Sequence, residues 1–124
     1  MLRVLVIDDD PFVLRMIDRM LDGLDCIVTS AGNGSEGIER YRQGSHDLVI
    51  ADVAIPVSEG LETIRTLRRL ARSLPILAMS GGGWLLGGSD LLDLARCAGA
   101  NETLAKPFTT EQLRSAVSCC ILAA

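Results

Sequence analysis

Five times along the chain, a short apolar run gives way to a segment with helical spacing. Leu2–Ile7 is almost continuously apolar, the pattern of a strand buried on both faces. Asp10 and Pro11 then read as N-cap and first helical residue, and Val13, Ile17, Met20 and Leu21 keep helical spacing up to a stop at Gly23. Cys26–Thr29 is a second strand, and Ser35–Arg42 a second helix entered through Gly32-Asn33-Gly34. Leu48–Ala51 is the third strand. Ser58–Arg72 is the third helix, with Leu61, Ile64, Leu67 and Ala71 on one stripe and Arg65, Arg68, Arg69 and Arg72 on a solvated face. Pro75–Met79 is the fourth strand, and Asp90–Ala98 a helix closed by Gly99. Thr103–Ala105 is a weak fifth strand. Thr109-Thr110-Glu111-Gln112 is a capping box for a last helix carrying Leu113, Val117 and Ile121.

Strand and helix alternating in this way imply an α/β fold, a parallel sheet with helices on both faces and right-handed crossovers. The 124 residues suit one domain, 1–124, with no internal linker, repeat or low-complexity tract. Apolar residues at 48% and charged residues at 23% exclude a disordered chain. A net charge of −4 argues against nucleic acid or an anionic membrane as the main partner, and 3% aromatics argues against a base-stacking platform. No apolar run reaches the length of a membrane span, and the N-terminus turns acidic too soon for a secretory signal. Cys26, Cys97, Cys119 and Cys120 fit neither a zinc knuckle nor an ordinary disulfide. They are expected to be buried or half-buried small hydrophobes in a reducing, cytoplasmic setting. His46, the sole histidine, is expected at the surface.

Ligands of doubly wound sheets sit beyond the carboxyl ends of the strands. Here strand one ends in Asp8, Asp9 and Asp10, strand three in Asp52, strand four in Ser80 and strand five in Lys106, the only lysine of the chain. Neighbouring strands lie about 4.8 Å apart, so these groups can share a pocket. Asp10 is accounted for as a helix cap. Close carboxylates repel one another, and a hard divalent cation such as Mg²⁺ relieves this with oxygen ligands. Carboxylates and metal beside an ammonium and a hydroxyl are equipment for handling a phosphoryl group.

Val6-Ile7-Asp8-Asp9-Asp10, the run Asp52 to Gly60, Met79-Ser80-Gly81 and Lys106-Pro107-Phe108, in this order and spacing, resemble the receiver domains of two-component response regulators. The resemblance covers essentially the whole chain and is strongest to single-domain chemotaxis regulators. It implies a flavodoxin-like, five-stranded sheet of order 2-1-3-4-5. It also implies that Asp52 takes a phosphoryl group from a phosphohistidine of a sensor histidine kinase or histidine phosphotransfer protein. Asp9, Asp52 and the Ala54 carbonyl would ligate Mg²⁺, and Asp8 would act through a metal-bound water. Ser80 would hydrogen-bond the phosphoryl group and Lys106 would pair with it, the Lys106–Pro107 bond being cis. A downstream protein would read the result, from a bacterial monomer or weak dimer whose output is a surface contact.

Several positions depart from the family pattern. Thr103 stands where an aromatic residue usually couples to the phosphoryl site, so output is expected through the loop after Ser80 or the fourth helix. Ile55 stands where Met is common, and Glu59 where Asp or Asn is common. Ala54 and Gly81 leave room for water, which implies an ordinary phosphoryl lifetime. The loop of Gly81, Gly82, Gly83, Gly87 and Gly88 around Trp84, Leu85 and Leu86 is either a loop tucked onto helix four or a mobile partner surface. Two rival readings remain open: a haloacid-dehalogenase-like phosphatase with Asp8 as nucleophile, which gives Asp52 no role, and a degenerate receiver acting by constitutive contacts.

Overall fold

A computed structural model describes residues 1–53, 57–81 and 88–123. The elements run β1 (Leu2–Ile7), α1 (Pro11–Met20), β2 (Cys26–Ala31), α2 (Gly34–Gln43), β3 (Leu48–Asp52), α3 (Val57–Leu70), β4 (Ile76–Ser80), α4 (Gly88–Ala98), β5 (Glu102–Ala105) and α5 (Thr110–Ala123). All strand pairings are parallel, in the order β2-β1-β3-β4-β5. The expected doubly wound sheet is therefore present. Strands β2, β3 and β4 run further than the apolar pattern alone indicates, so Asp52 and Ser80 are the last paired residues of β3 and β4.

The two faces of the sheet make two cores. Leu5, Ile7, Val49, Ala51, Ile76 and Ala78 pack with Leu61, Ile64 and Leu67 of α3 and with Leu91 and Ala95 of α4. Val4, Val6, Ile50, Leu77 and Met79 pack with Ile17 of α1 and with Leu113, Val117 and Cys120 of α5. Alternate residues of each central strand feed opposite cores, which is why these strands read as unbroken apolar runs.

Local chemistry sets the helix ends. Asp10 caps α1 by accepting from the Phe12 amide at 2.9 Å, and Asn33 caps α2 by accepting from the Glu36 amide at 2.8 Å. The box on α5 is reciprocal: Thr109 Oγ1 accepts from the Gln112 amide, and Gln112 Oε1 accepts from the Thr109 amide. Gly23 and Gly99 take positive φ, at 91° and 130°, and end α1 and α4 as expected.

Several sequence expectations need correction. Cys120, rather than Ile121, takes the deep position on α5, and burial pushes its thiol up to about 12. The spacing explains it, because Leu113, Ala116, Val117 and Cys120 form the i, i+3, i+4, i+7 stripe. Cys97 and Cys119 are exposed, not buried. His46 is half-buried, stacked on Tyr41 with ring centroids 5.8 Å apart, and burial pushes its pKa below the ordinary value. Its Nδ1 is buried and has no hydrogen-bond partner among the described residues.

The arginine face of α3 also divides. Arg65 and Arg69 pair with Glu62 in solvent, but Arg68 turns inward. Its guanidinium donates to the carbonyls of Ala71 and Arg72, to the Gly99 carbonyl through both Nε and a terminal nitrogen, and to Asn101 Oδ1. Asn101 Oδ1 also accepts from the Ile76 amide. One side chain thus caps the end of α3, holds the turn after α4 and, through Asn101, pins the start of β4. A planar fork suits carbonyls in several directions better than an ammonium does.

Replacing Arg68 with Ala should lower the free energy of unfolding by about 2–3 kcal/mol, with Arg68→Lys recovering less than half, as read from urea midpoints. A second expectation concerns acid. The folded state resists protonation of His46, so the stability it contributes is complete above its ordinary value of 6.5 and is lost as pH falls through and below it. The urea midpoint should therefore drop between about pH 7.5 and about pH 5.5, and His46→Gln should reduce that drop.

Candidate functional site

The site lies beyond the carboxyl ends of β1, β3, β4 and β5, where side chains leave the sheet with no next strand pair to bury them. The Asp8 amide donates to the Ala31 carbonyl at 3.1 Å, one step past the last β1–β2 pair. Asp8 Oδ1 accepts from the Asp10 amide at 2.9 Å, a bond that turns the chain from strand to helix. This fixes Asp8 with a side chain only 1% exposed, while Asp9 next to it is exposed. Asp52 ends β3, 8% exposed. Carboxylate oxygens of Asp8, Asp9 and Asp52 lie within 4.8 Å of one another, a donor set that fits a hard divalent cation.

Lys106 faces this cluster from the far edge. Its Nζ lies 2.8 Å from Asp8 Oδ2 and 3.5 Å from Asp52 Oδ1. The backbone holds it there, since the Lys106 amide donates to the Ser80 carbonyl at 2.8 Å. The Lys106–Pro107 bond is cis, as the resemblance implied. Repulsion among the three acids is therefore partly compensated by a partner 98 residues away from Asp8 in sequence.

Ser80 is 4% exposed, and its Oγ is buried with no hydrogen-bond partner among the described residues. A Cβ on Gly81 would come within 2.9 Å of Lys106 Cδ and 3.0 Å of Lys106 Cβ, so the glycine makes room for the lysine stem. Thr103, on β5, is half-buried and accepts a 3.4 Å hydrogen bond from Arg96 of α4. Ala54, Ile55 and Trp84 lie outside the described residues.

A cavity of about 160 Å³ runs from the acid cluster between the starts of α2 and α3, lined by Asp8, Asp9, Asn33, Asp52, Glu59 and Thr63 among others. In the sequence Glu59 stands out only as a departure from the family pattern, and Asn33 and Thr63 carry no functional signal. Glycines are the signal for this wall. A Cβ on Gly60 would lie 2.7 Å from Val53 Cα, and one on Gly34 would run into Thr63 Oγ1, so α3 is pressed onto β3 and α2 onto α3.

The family pattern of the response regulator receiver domain matches residues 4–118, and the chain belongs to that family. It is a phosphorylation-controlled module of two-component signalling. Among curated relatives, it is 28% identical over 118 residues to the chemotaxis protein CheY of Bacillus subtilis, covering 94% of each chain. It is 34% identical over 113 residues to the transcription factor SKN7 of Chaetomium thermophilum, covering 90% of this chain and 14% of that protein. It also spans half the length of the probable C4-dicarboxylate response regulator DctR of Bacillus subtilis. Among solved structures, a receiver domain from Clostridium thermocellum superposes with a TM-score of 0.85 at 29% identity, covering 98% of this chain and 95% of that one. The response regulator TrrA of Thermotoga maritima, solved with Mg²⁺ and BeF, gives a TM-score of 0.82 at 28% identity, with 97% and 99% covered.

Replacing Lys106 with Met would leave Asp8 buried without its ion-pair partner. The variant should lose about 2–4 kcal/mol of stability in metal-free buffer, and added Mg²⁺ should narrow the gap by binding only the folded site. Thermal melts with and without the ion measure both effects.

Proposed function

We propose that Asp52 is the phosphoacceptor of this receiver and that residues 1–124 act as one such unit. The observation that supports this most is the placement of Asp52 at the end of β3, in the three-carboxylate cluster and 3.5 Å from Lys106 Nζ. An Asp52 carboxylate oxygen attacks the phosphorus of a donor phosphohistidine on a sensor kinase or phosphotransfer protein. The new oxygen–phosphorus bond forms as the nitrogen–phosphorus bond breaks, and the departing imidazole keeps the electron pair and takes a proton from solvent. Lys106 moves from its carboxylate partners to an equatorial phosphoryl oxygen, which its flexible stem permits. The Ser80 hydroxyl, buried without a partner among the described residues, donates to another such oxygen. In this reading Asp9 and Asp52, with the Ala54 carbonyl, would hold Mg²⁺, and Asp8 would act through a metal-bound water. The ion supplies charge neutralisation for the incoming phosphoryl group. Hydrolysis of the acyl phosphate by water returns the resting state.

The output is changed affinity for a downstream protein. The chain does no chemistry on an outside substrate in this reading and works in the cytoplasm. Among the described residues no helix is long and apolar enough to cross a membrane.

Incubation with acetyl phosphate and Mg²⁺ should retard the protein on a phosphate-affinity gel, and Asp52→Asn should abolish the retardation. Asp8→Asn should weaken labelling without removing it. Loss of label in Asp8→Asn alone would favour the phosphatase reading, and absence of any label in the parent protein would favour a receiver working by constitutive contacts.

A further inference from the structure

Lys106 compensates only one side of the acid cluster. Its ammonium reaches Asp8 and Asp52, while Asp9 lies towards solvent. The cavity on that open side carries one more carboxylate, Glu59. Among the described residues Glu59 enters no ion pair, although the next acid of α3, Glu62, pairs with both Arg65 and Arg69. Its position is built in. Gly60 lets the first turn of α3 lie against the backbone of Asp52 and Val53, closer than any side chain would allow, and this carries Glu59 to the cavity mouth.

The cavity has room for several waters, and Mg²⁺ retains several waters when bound to a small carboxylate set. We infer that Glu59 is a positioning residue for the cation, accepting hydrogen bonds from its retained waters across this cavity. It supplies long-range negative charge on the side that Lys106 leaves open, and it touches neither the phosphoryl group nor Asp52. This inference rests on the reading of the acid cluster as the Mg²⁺ site. The plain alternative is that Glu59 only complements the positive end of the α3 dipole. The two differ in what they move: a dipole role affects stability, whereas a water-holding role affects cation affinity.

The test uses the parent chain, Glu59→Gln, Glu59→Asp and, as a control charge on the same helix, Glu62→Gln. Each is titrated with Mg²⁺ alone by calorimetry at fixed ionic strength. Glu59→Gln should raise the Mg²⁺ dissociation constant about three- to tenfold, the scale of one charge acting on a divalent ion through water. Glu59→Asp should recover part of the affinity, and Glu62→Gln should leave it nearly unchanged. Equal dissociation constants for parent and Glu59→Gln, or equal weakening by Glu59→Gln and Glu62→Gln, overturn the role of Glu59 and leave the cluster reading intact. No saturable binding to the parent chain, or undiminished binding in Asp9→Asn, overturns both.

Discussion

The pairing of Lys106 with Asp8 and Asp52 is the constraint on which the rest of the site depends. Three carboxylates at neighbouring strand ends repel one another, and two of them are almost wholly withdrawn from water. Such a cluster is tolerable only when opposite charge is brought to it. The ammonium comes from the opposite end of the chain, so the ion pair forms only when β1, β3, β4 and β5 are assembled in order. A charge that can leave for a better partner is also what a phosphoryl site needs. The same lysine that steadies the resting cluster is free to turn to an incoming anion once a cation takes over the carboxylates.

Around that centre the fold uses close approach rather than bulk. Gly60 and Gly34 bring α3 onto β3 and α2 onto α3, and they shape the cavity beside the acids. Gly81 makes room for the Lys106 stem, whose ammonium reaches Asp8 and Asp52. On the far side of the sheet edge, Arg68 gathers the ends of two helices and the start of β4. The glycines admit no Cβ and the Arg68 bonds are polar and directional, so each of these positions is sensitive to substitution in a way that the apolar cores are not.

Much of this was legible in the chain. The alternation of unbroken apolar runs with helical stripes indicated a doubly wound sheet, and every strand and helix appears near its expected place. Asp10, the Thr109 capping box, Gly23 and Gly99 act at the helix ends as their types predict. The site was legible because its groups come from strand ends, where sequence position and spatial position coincide. What failed were expectations for residues whose partners lie elsewhere. Arg68 looked like one more solvated arginine and Ile121 like core.

The sequence by itself determined the order of strands and helices, the caps, and which acids, hydroxyl and lysine stand at the strand ends. Those follow from periodicity and turn chemistry, which act within a few residues. Only the tertiary structure decided that Lys106 lies 2.8 Å from Asp8, that Ser80 Oγ is buried, that Arg68 turns inward, and that Glu59 lines the acid cavity. Each of these depends on how the ends of separate elements meet in space, and no local pattern along the chain encodes that meeting.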